Sequence, residues 1–460
     1  MAVERENLVM PLKSSGVESP VPACAVPLQQ KIAHRTARVG IVGLGYVGLP
    51  LALTFAERGF PVVGFDVDRS KVEALEAGRN YIKHLDPSRL TRASASGLLA
   101  STADFARLSE PDIIIVCVPT PLTPQREPDM SYVVGTARQI ASALRPGQLV
   151  ILESTTYPGT TDDLFRGILE GGGLRCGRDF FMAFSPERED PGNANYGTAT
   201  IPKVVGGVDA ISGDLAQALY NHAISSTVRV SDARTAEATK LLENIFRAVN
   251  IALVNELKIV FDRMGIDIWE VLDAAATKPF GFMRFNPGPG WGGHCIPLDP
   301  FYLAWKAREY GVTARFIELA GEVNTQMPRY VVEKLRLALN ARRKAVNGSK
   351  ILVLGLAYKK NIDDPRESPS FEIIELLIEQ GASVSYHDPH VPKAPSMRSW
   401  PNLPPMTSVP LEPRVLESYD AVLIATDHSA VDYELVVRHA SLIIDTRGVY
   451  RDARPNVVKA

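Results

Sequence analysis

From Arg38 onward, the chain alternates short runs of consecutive apolar residues with stretches whose apolar positions recur at helical spacing. ARVGIVGL is apolar throughout, short and closed by glycine, which predicts a strand covered on both faces. GLPLALTFAERG then reads as a helix and PVVGFDVD as a second strand. The alternation continues through DIIIVCVPTP, a helix over about 131–144, GQLVILEST, the helical TYPGTTDDLFRGIL and DFFMAFSPERED. Strands separated by helices predict a parallel sheet with helices on both faces. From about Asp232 the pattern changes to a long helix, TAEATKLLENIFRAVNIALVNELKIVFDRMG. Its apolar residues Leu241, Phe246, Val249, Leu253 and Val260 point several ways, as on a helix covered by other domains or subunits. Two more helical runs follow, FYLAWKAREYG and about 314–342. Beyond Asn347-Gly348 a second α/β pattern begins with KILVLGLAYK.

The first strand–helix junction reads GLGYVG, with Gly43, Gly45 and Gly48 at G-x-G-x-x-G spacing and Asp66 closing the next strand. Gly43 permits the tight turn, Gly45 lets a pyrophosphate approach the backbone, and Gly48 lets helix and strand pack closely. Asp66 would accept from the adenine ribose hydroxyls and repel a 2′-phosphate, so the expected cofactor is NAD. The second α/β half lacks the full glycine fingerprint and need not bind another dinucleotide. The expected fold class is therefore α/β, two doubly wound Rossmann-like domains joined by a long central helix. A flexible tail is expected over 1–36, an NAD-binding domain over 37–230, a central helical and dimerisation domain over 231–346, and a second Rossmann-like domain over 347–460. Ligands of such sheets lie at the carboxyl ends of strands, which places Thr120, Thr155 and Glu187 on the active edge, with ordinary turn chemistry as the plainer alternative. On the long helix Lys240 and Asn244 share a face, and Glu237 with Lys240 reads plainly as an i,i+3 surface pair.

The stretch NPGPGWGGHCIPLDP, residues 286–300, cannot be an interior helix or strand and reads as a shaped loop. Its glycines allow close backbone approach to a ligand. Cys295 sits just before an expected helix start at Asp299-Pro300, where a covalent catalyst could stand; a long turn with a buried cysteine is the plainer reading. His294, its neighbour, is expected to point away from it, as neighbours in an extended loop do, and reads as a bystander. The four cysteines show no metal-ligand spacing or C-x-x-C pair, Cys117 reads as a small buried hydrophobe, and no His/Cys/Asp metal cluster stands out. With 45% hydrophobic and 22% charged residues the composition is globular, and a formal net charge of −2 gives no reason to expect nucleic acid or an anionic membrane as partner. No apolar run is long enough to span a bilayer, so a cytoplasmic protein is expected.

GLGYVG, VPTP, EST-x-YPG, SPE, EATKLLEN, GGHC-x-P-x-D and GLAYKKN-x-D-D-x-R-x-S-P occur in this order, and the chain from Arg38 to its end resembles the UDP-glucose/GDP-mannose dehydrogenase family. YIKHL, SPEREDPG and NPGPGWGGHCIPLDPFYLAWKA are most similar to its members acting on UDP-N-acetylglucosamine in bacterial surface-polysaccharide synthesis. The resemblance implies oxidation of a primary alcohol to a carboxylate with reduction of two NAD. It makes Cys295 the nucleophile, and Lys240 with Asn244 the stabilisers of the alkoxide and thiohemiacetal oxyanion. Asp299 with a water would handle protons, Thr155 would position that water, and Glu187 would assist hydrolysis. NAD is implied at Gly43, Gly45, Tyr46, Val47, Gly48, Asp66, Lys71, Thr120, Thr155 and Arg366. The UDP-sugar is implied on Gly288, Gly290, Gly292, Tyr358, Lys359 and Arg447, with Arg284 reaching across a homodimer formed by the long helix. Where the family pattern carries a second glutamate the chain has Pro191, with Glu189 or Asp190 as substitutes. A two-electron hydroxy-acid dehydrogenase shares the architecture but predicts no need for Cys295.

Overall fold

The computed structural model describes residues 21–82, 85–123, 125–189, 197–293, 295–397 and 399–460. His294, Asp190, Pro191 and two residues of YIKHL, Lys83 and His84, lie outside them. The chain divides into two compact units, 1–243 and 244–460.

The first unit is built on eight strands: β1 (Val39–Val42), β2 (Val62–Phe65), β3 (Leu99–Thr102), β4 (Ile113–Val116), β5 (Leu149–Leu152), β6 (Phe181–Phe184), β7 (Lys203–Gly207) and β8 (Thr227–Arg229). Their order is β3-β2-β1-β4-β5-β6-β7-β8. The first six are parallel in the order of a dinucleotide-binding sheet, and the strand order reverses beside β1. Every residue of β1, β2, β4, β5 and β6 is buried, which is why these strands read as unbroken apolar runs. β7 departs from the expected parallel order by pairing antiparallel to β6. An antiparallel neighbour needs no helical crossover, so no strand–helix alternation announced it.

The expected tail to residue 36 does not hold for its described part. Ala25–Ala33 form a helix whose Ala25, Leu28 and Ile32 join the core, and Lys31 pairs with Asp112 at 2.8 Å. Three apolar contacts at helical spacing and one ion pair are a short signal beside several prolines.

The second unit has five parallel strands, β9 (Lys350–Leu354), β10 (Ser383–His387), β11 (Ala421–Ile424), β12 (Ile443–Asp445) and β13 (Val457–Lys459), in the order β10-β9-β11-β12-β13. This is the other common doubly wound order. The long helix runs unbroken over Ala233–Met264, its residues to Glu243 counted in the first unit and the rest in the second. Cys295–Glu309 and Arg315–Ala341 are helices of the second unit, so the first of them starts at Cys295 rather than at Asp299-Pro300. Pro297 falls in the first turn, where its missing N–H would have no intrahelical partner. Pro300 lies inside the helix.

Candidate active site

In the first unit the glycine fingerprint closes around a space its own atoms leave open. Gly43 is left-handed at φ 93°, and a Cβ there would lie 2.6 Å from the Cys117 carbonyl of the strand end beside it. A Cβ on Gly48 would lie 1.8 Å from the Gly43 carbonyl, so the helix Gly48–Glu57 can only start this close to β1 if that residue is glycine. Gly45 has nothing within 4 Å of where its Cβ would stand. Two glycines thus serve the turn and the packing, and the third leaves room for a ligand. Tyr46 and Val47 connect them into the helix, and Tyr46 is exposed. Asp66 is buried at the end of β2, where its Oδ2 accepts from the Leu44 amide at 2.8 Å and from Lys71 at 3.1 Å, and its Oδ1 from the Asp68 amide at 2.9 Å. The acidic partner is therefore fixed to the fingerprint loop, and Lys71 is brought to it. Tyr81 donates to the Leu44 carbonyl at 2.6 Å and closes the same loop. Thr120 is buried beyond β4, and Thr155 half-buried beyond β5. These residues fit NAD: an open backbone turn, a helix N-terminus and a held carboxylate with an acceptor site to spare.

Glu187 follows β6. Its Oε1 accepts from the amides of Arg188 (2.7 Å) and Glu189 (2.5 Å), and its carbonyl accepts from Lys240 of the long helix. Glu237 does not pair with Lys240. It is fully buried, and its carboxylate accepts from the amides of Gly159 (2.6 Å) and Thr161 (2.9 Å) and from the Thr161 hydroxyl (2.7 Å). The helix therefore clamps the loop beyond Thr155 with one side chain and the SPE segment with another. Because surface charge is the commoner fate of a Glu-x-x-Lys pair, only the fold could show this. Burial raises the Glu237 carboxyl to about 7, against the lowering by its three donors. A carboxyl that binds its proton more tightly when folded makes stability fall as pH rises from its unfolded value towards 7. Glu237→Gln is expected to flatten that part of the stability–pH curve, by at most about 1.4 kcal/mol per pH unit, and to lower stability at pH 5 by losing one acceptor. Urea titrations from pH 4.5 to 8 measure both.

In the second unit the loop before Cys295 is packed on the protein's own side chains. Gly290 and Gly293 are left-handed, at φ 136° and 82°. A Cβ on Gly288 would meet the Arg447 guanidinium at 2.6 Å, and one on Gly292 would meet Tyr358 at 2.7 Å. Three groups expected to touch one ligand are thus brought together: the loop, Tyr358 and Arg447. The loop is anchored by the Gly288 amide, which donates to Asn255 Oδ1 at 2.9 Å, and by the Gly293 amide, which donates to the Arg366 carbonyl at 3.0 Å. Asn255 in turn bonds Asn324 at 2.8 Å; both are fully or nearly fully buried, and neither announced itself in the sequence. Arg447 donates to the Ala425 carbonyl at 2.7 Å. Lys359 follows Tyr358 directly, on the carboxyl side of β9. Arg366, expected at NAD, belongs to this unit and grips Asp364 with Nε at 2.9 Å. Arg284 is held within the chain by Asp273 and by Asn286 at 2.9 Å.

Cys295 opens its helix and Asp299 stands one turn on, buried. The Asp299 Oδ2 accepts from the Asn244 amide nitrogen, and Arg247 donates to the Asn244 Oδ1. The Asn244 amide therefore has a fixed orientation, with a hydrogen on Asp299. The other three cysteines are poor nucleophiles: burial raises the thiols of Cys24 and Cys117, and pushes that of Cys176 up to about 12. A thiol at a helix N-terminus, behind a glycine loop and one turn before a buried carboxylate, has surroundings that covalent chemistry can use.

Two nucleotide-type sheets, one with an open dinucleotide fingerprint, and a cysteine–aspartate helix turn define an NAD-dependent dehydrogenase acting on a nucleotide-linked substrate. The NAD-binding domain of the UDP-glucose/GDP-mannose dehydrogenase family matches residues 37–224, the central domain 234–326 and the UDP-binding domain 352–452. The chain belongs to this family and is an NAD-dependent UDP-sugar dehydrogenase. It is 38% identical over 394 residues, 85% of this chain and 90% of the other, to a UDP-N-acetyl-D-glucosamine 6-dehydrogenase of Pseudomonas aeruginosa. It is 35% identical over 432 residues, 90% and 97% of the two chains, to an NDP-N-acetyl-D-galactosaminuronic acid dehydrogenase of Ralstonia nicotianae. Among solved structures, a UDP-D-ManNAc dehydrogenase from Pyrococcus horikoshii superimposes with a TM-score of 0.83 at 33% identity, covering 92% of this chain and 98% of that one.

Proposed function

We propose that the protein oxidises C6 of UDP-N-acetylglucosamine from alcohol to carboxylate in two steps, for bacterial surface polysaccharide synthesis, and works as a cytoplasmic homodimer. The observation that carries the chemistry is Cys295 at the head of its helix with Asp299 one turn behind it. When bound, NAD accepts a hydride at each oxidation. Asp299 takes the alcohol proton through a water positioned by Thr155. The Cys295 sulfur adds to the resulting aldehyde carbon, and Lys240 with the Asn244 amide stabilises the oxygen anion of the thiohemiacetal. After the second oxidation the C6 acyl group is held on sulfur as a thioester, and Glu187 helps water cleave it. Arg447, Tyr358, Lys359 and the Gly288–Gly292 backbone hold the sugar nucleotide; Lys71, Thr120, Asp66, Arg366 and the Gly43–Gly48 turn hold NAD. Arg284 is assigned to the substrate.

The choice of N-acetylglucosamine rests on the similarity to the Pseudomonas relative and on the SPEREDPG and loop segments. The dimer rests on the long helix, which leaves Leu242, Phe246, Leu253, Val260 and Met264 exposed on a single chain. Purified enzyme is expected to form two NADH per sugar nucleotide and to show its highest kcat/KM with UDP-N-acetylglucosamine in a panel with the galactosamine, mannosamine and glucose analogues. One NADH per turnover overturns the four-electron reading. A higher kcat/KM on another sugar overturns only the substrate.

A further inference from the structure

Behind Glu187 lies a buried charged cluster that none of the roles above uses. Lys203, at the head of β7, has its ammonium 2.9 Å from Glu153 Oε2, 3.7 Å from Glu187 Oε2 and 3.4 Å from the Pro186 carbonyl. Glu153, at the end of β5, also accepts from the Tyr220 hydroxyl, and the Lys203 ammonium stands over the Tyr220 ring at 5.2 Å. Lys203, Glu153 and Tyr220 are all almost entirely buried. Burial alone would favour a neutral lysine, but Glu153 and Glu187 outweigh it and raise the Lys203 pKa. Burying an ammonium on a sheet is costly unless its partners require it there.

The hydrogen-bond pattern shows what it holds. Both backbone amides that reach the Glu187 carboxylate go to Oε1. Among the described residues Oε2 is buried with no hydrogen-bond partner, and its near charge is Lys203. Glu153 and Glu189 also act on this site, and Lys240 holds the Glu187 carbonyl. We propose that Lys203 is a positioning residue for thioester cleavage, gripping Pro186 and Glu187 so that the Glu187 carboxylate is held in place to take a proton from the attacking water. In that step the water oxygen bonds the acyl carbon, the C–S bond breaks, the sulfur leaves with the bonding pair and recovers a proton, and the free acid departs. The proposal rests on the reading of Glu187 given above.

The test follows NADH release and the acyl adduct on Cys295 by intact-protein mass in full-length enzyme. In Glu187→Gln the adduct is expected to accumulate after a burst of two NADH per subunit. In Lys203→Met the burst is expected to stay within about threefold of the parent, while acid release falls about 10- to 100-fold and the adduct accumulates. Lys203→Arg is expected to recover part of the release rate. Adding Lys203→Met to Glu187→Gln is expected to change release by less than about threefold, since both act on one step. Where Lys203→Met fails to fold, Glu153→Gln/Lys203→Met removes both charges and gives the same readings. Additive losses, or an equal fall in burst and release, overturn the proposal. Accumulation in Glu187→Gln without accumulation in Lys203→Met overturns the proposal alone; no accumulation in Glu187→Gln overturns the reading of Glu187 as well.

Discussion

Cys295→Ser is expected to lower formation of the sugar acid at least about 1000-fold, with NAD binding unchanged, because losing a covalent nucleophile commonly costs that much or more. Cys295 heads a helix of the second unit, whereas the dinucleotide fingerprint lies wholly in the first, so the two properties separate. The first oxidation needs no bond to sulfur, only removal of the alcohol proton by a base and transfer of the C6 hydride to NAD. The variant should therefore still make aldehyde, and a carbonyl trap such as hydroxylamine should capture it with one NADH formed per sugar. Serine keeps the size and the first helical turn, so the fold should be unaffected. The measurement is the ratio of NADH to trapped aldehyde and to acid. Acid formed within tenfold of the parent rate would remove Cys295 from the chemistry and leave it a structural residue at the start of its helix.

What the sequence made legible was local in the chain. The GLGYVG turn could be read because each glycine has a separate steric task within six residues, and the structure shows those tasks: contact with Cys117 at Gly43, contact with the turn itself at Gly48, open space at Gly45. The loop before Cys295 could be identified as a loop but not read for what fills it. Its glycines make room first for Arg447 and Tyr358, both from distant segments. The helix start at Cys295 was hidden because Asp299-Pro300 offered a start signal of its own one turn on, and a proline such as Pro300 is uncommon inside a helix.

The unread residues share one property: their partners lie far away in the chain. Glu237 bonds Gly159 and Thr161, Asn255 bonds Gly288 and Asn324, and Lys203 bonds Glu153. A charged residue in a strand or helix looks solvated until its burial is known. The second unit shows the same limit from the other side. Asp388, at the end of β10, holds the position Asp66 has after β2, and its Oδ2 accepts from the Leu356 and Ala357 amides at 2.7 and 2.9 Å. It also takes the His390 and Val391 amides and the buried His428 ring, and its carboxyl is held well below the usual range despite burial. A carboxylate so fully engaged has little left for a ribose.

Asp299→Asn is expected to lower the first oxidation about 100- to 10,000-fold while leaving the fold nearly intact. The reason lies in the orientation of Asn244. Its Oδ1 is taken by Arg247, so its amide nitrogen must face residue 299. An asparagine there can turn its own carbonyl oxygen to that nitrogen and keep that hydrogen bond, while the charge and the capacity to take a proton are lost. Thermal unfolding of the variant should stay close to the parent, within about 1–2 kcal/mol. The pre-steady-state burst of NADH should slow, in contrast with Lys203→Met, where the burst survives and release fails. Residual activity should climb with pH as hydroxide replaces the missing base. A residue serving only to hold the Asn244 side chain would tolerate asparagine, which keeps that hydrogen bond, with little kinetic effect. A burst within threefold of the parent would therefore return Asp299 to a structural role and pass the proton chemistry to Lys240 or to the water beside Thr155.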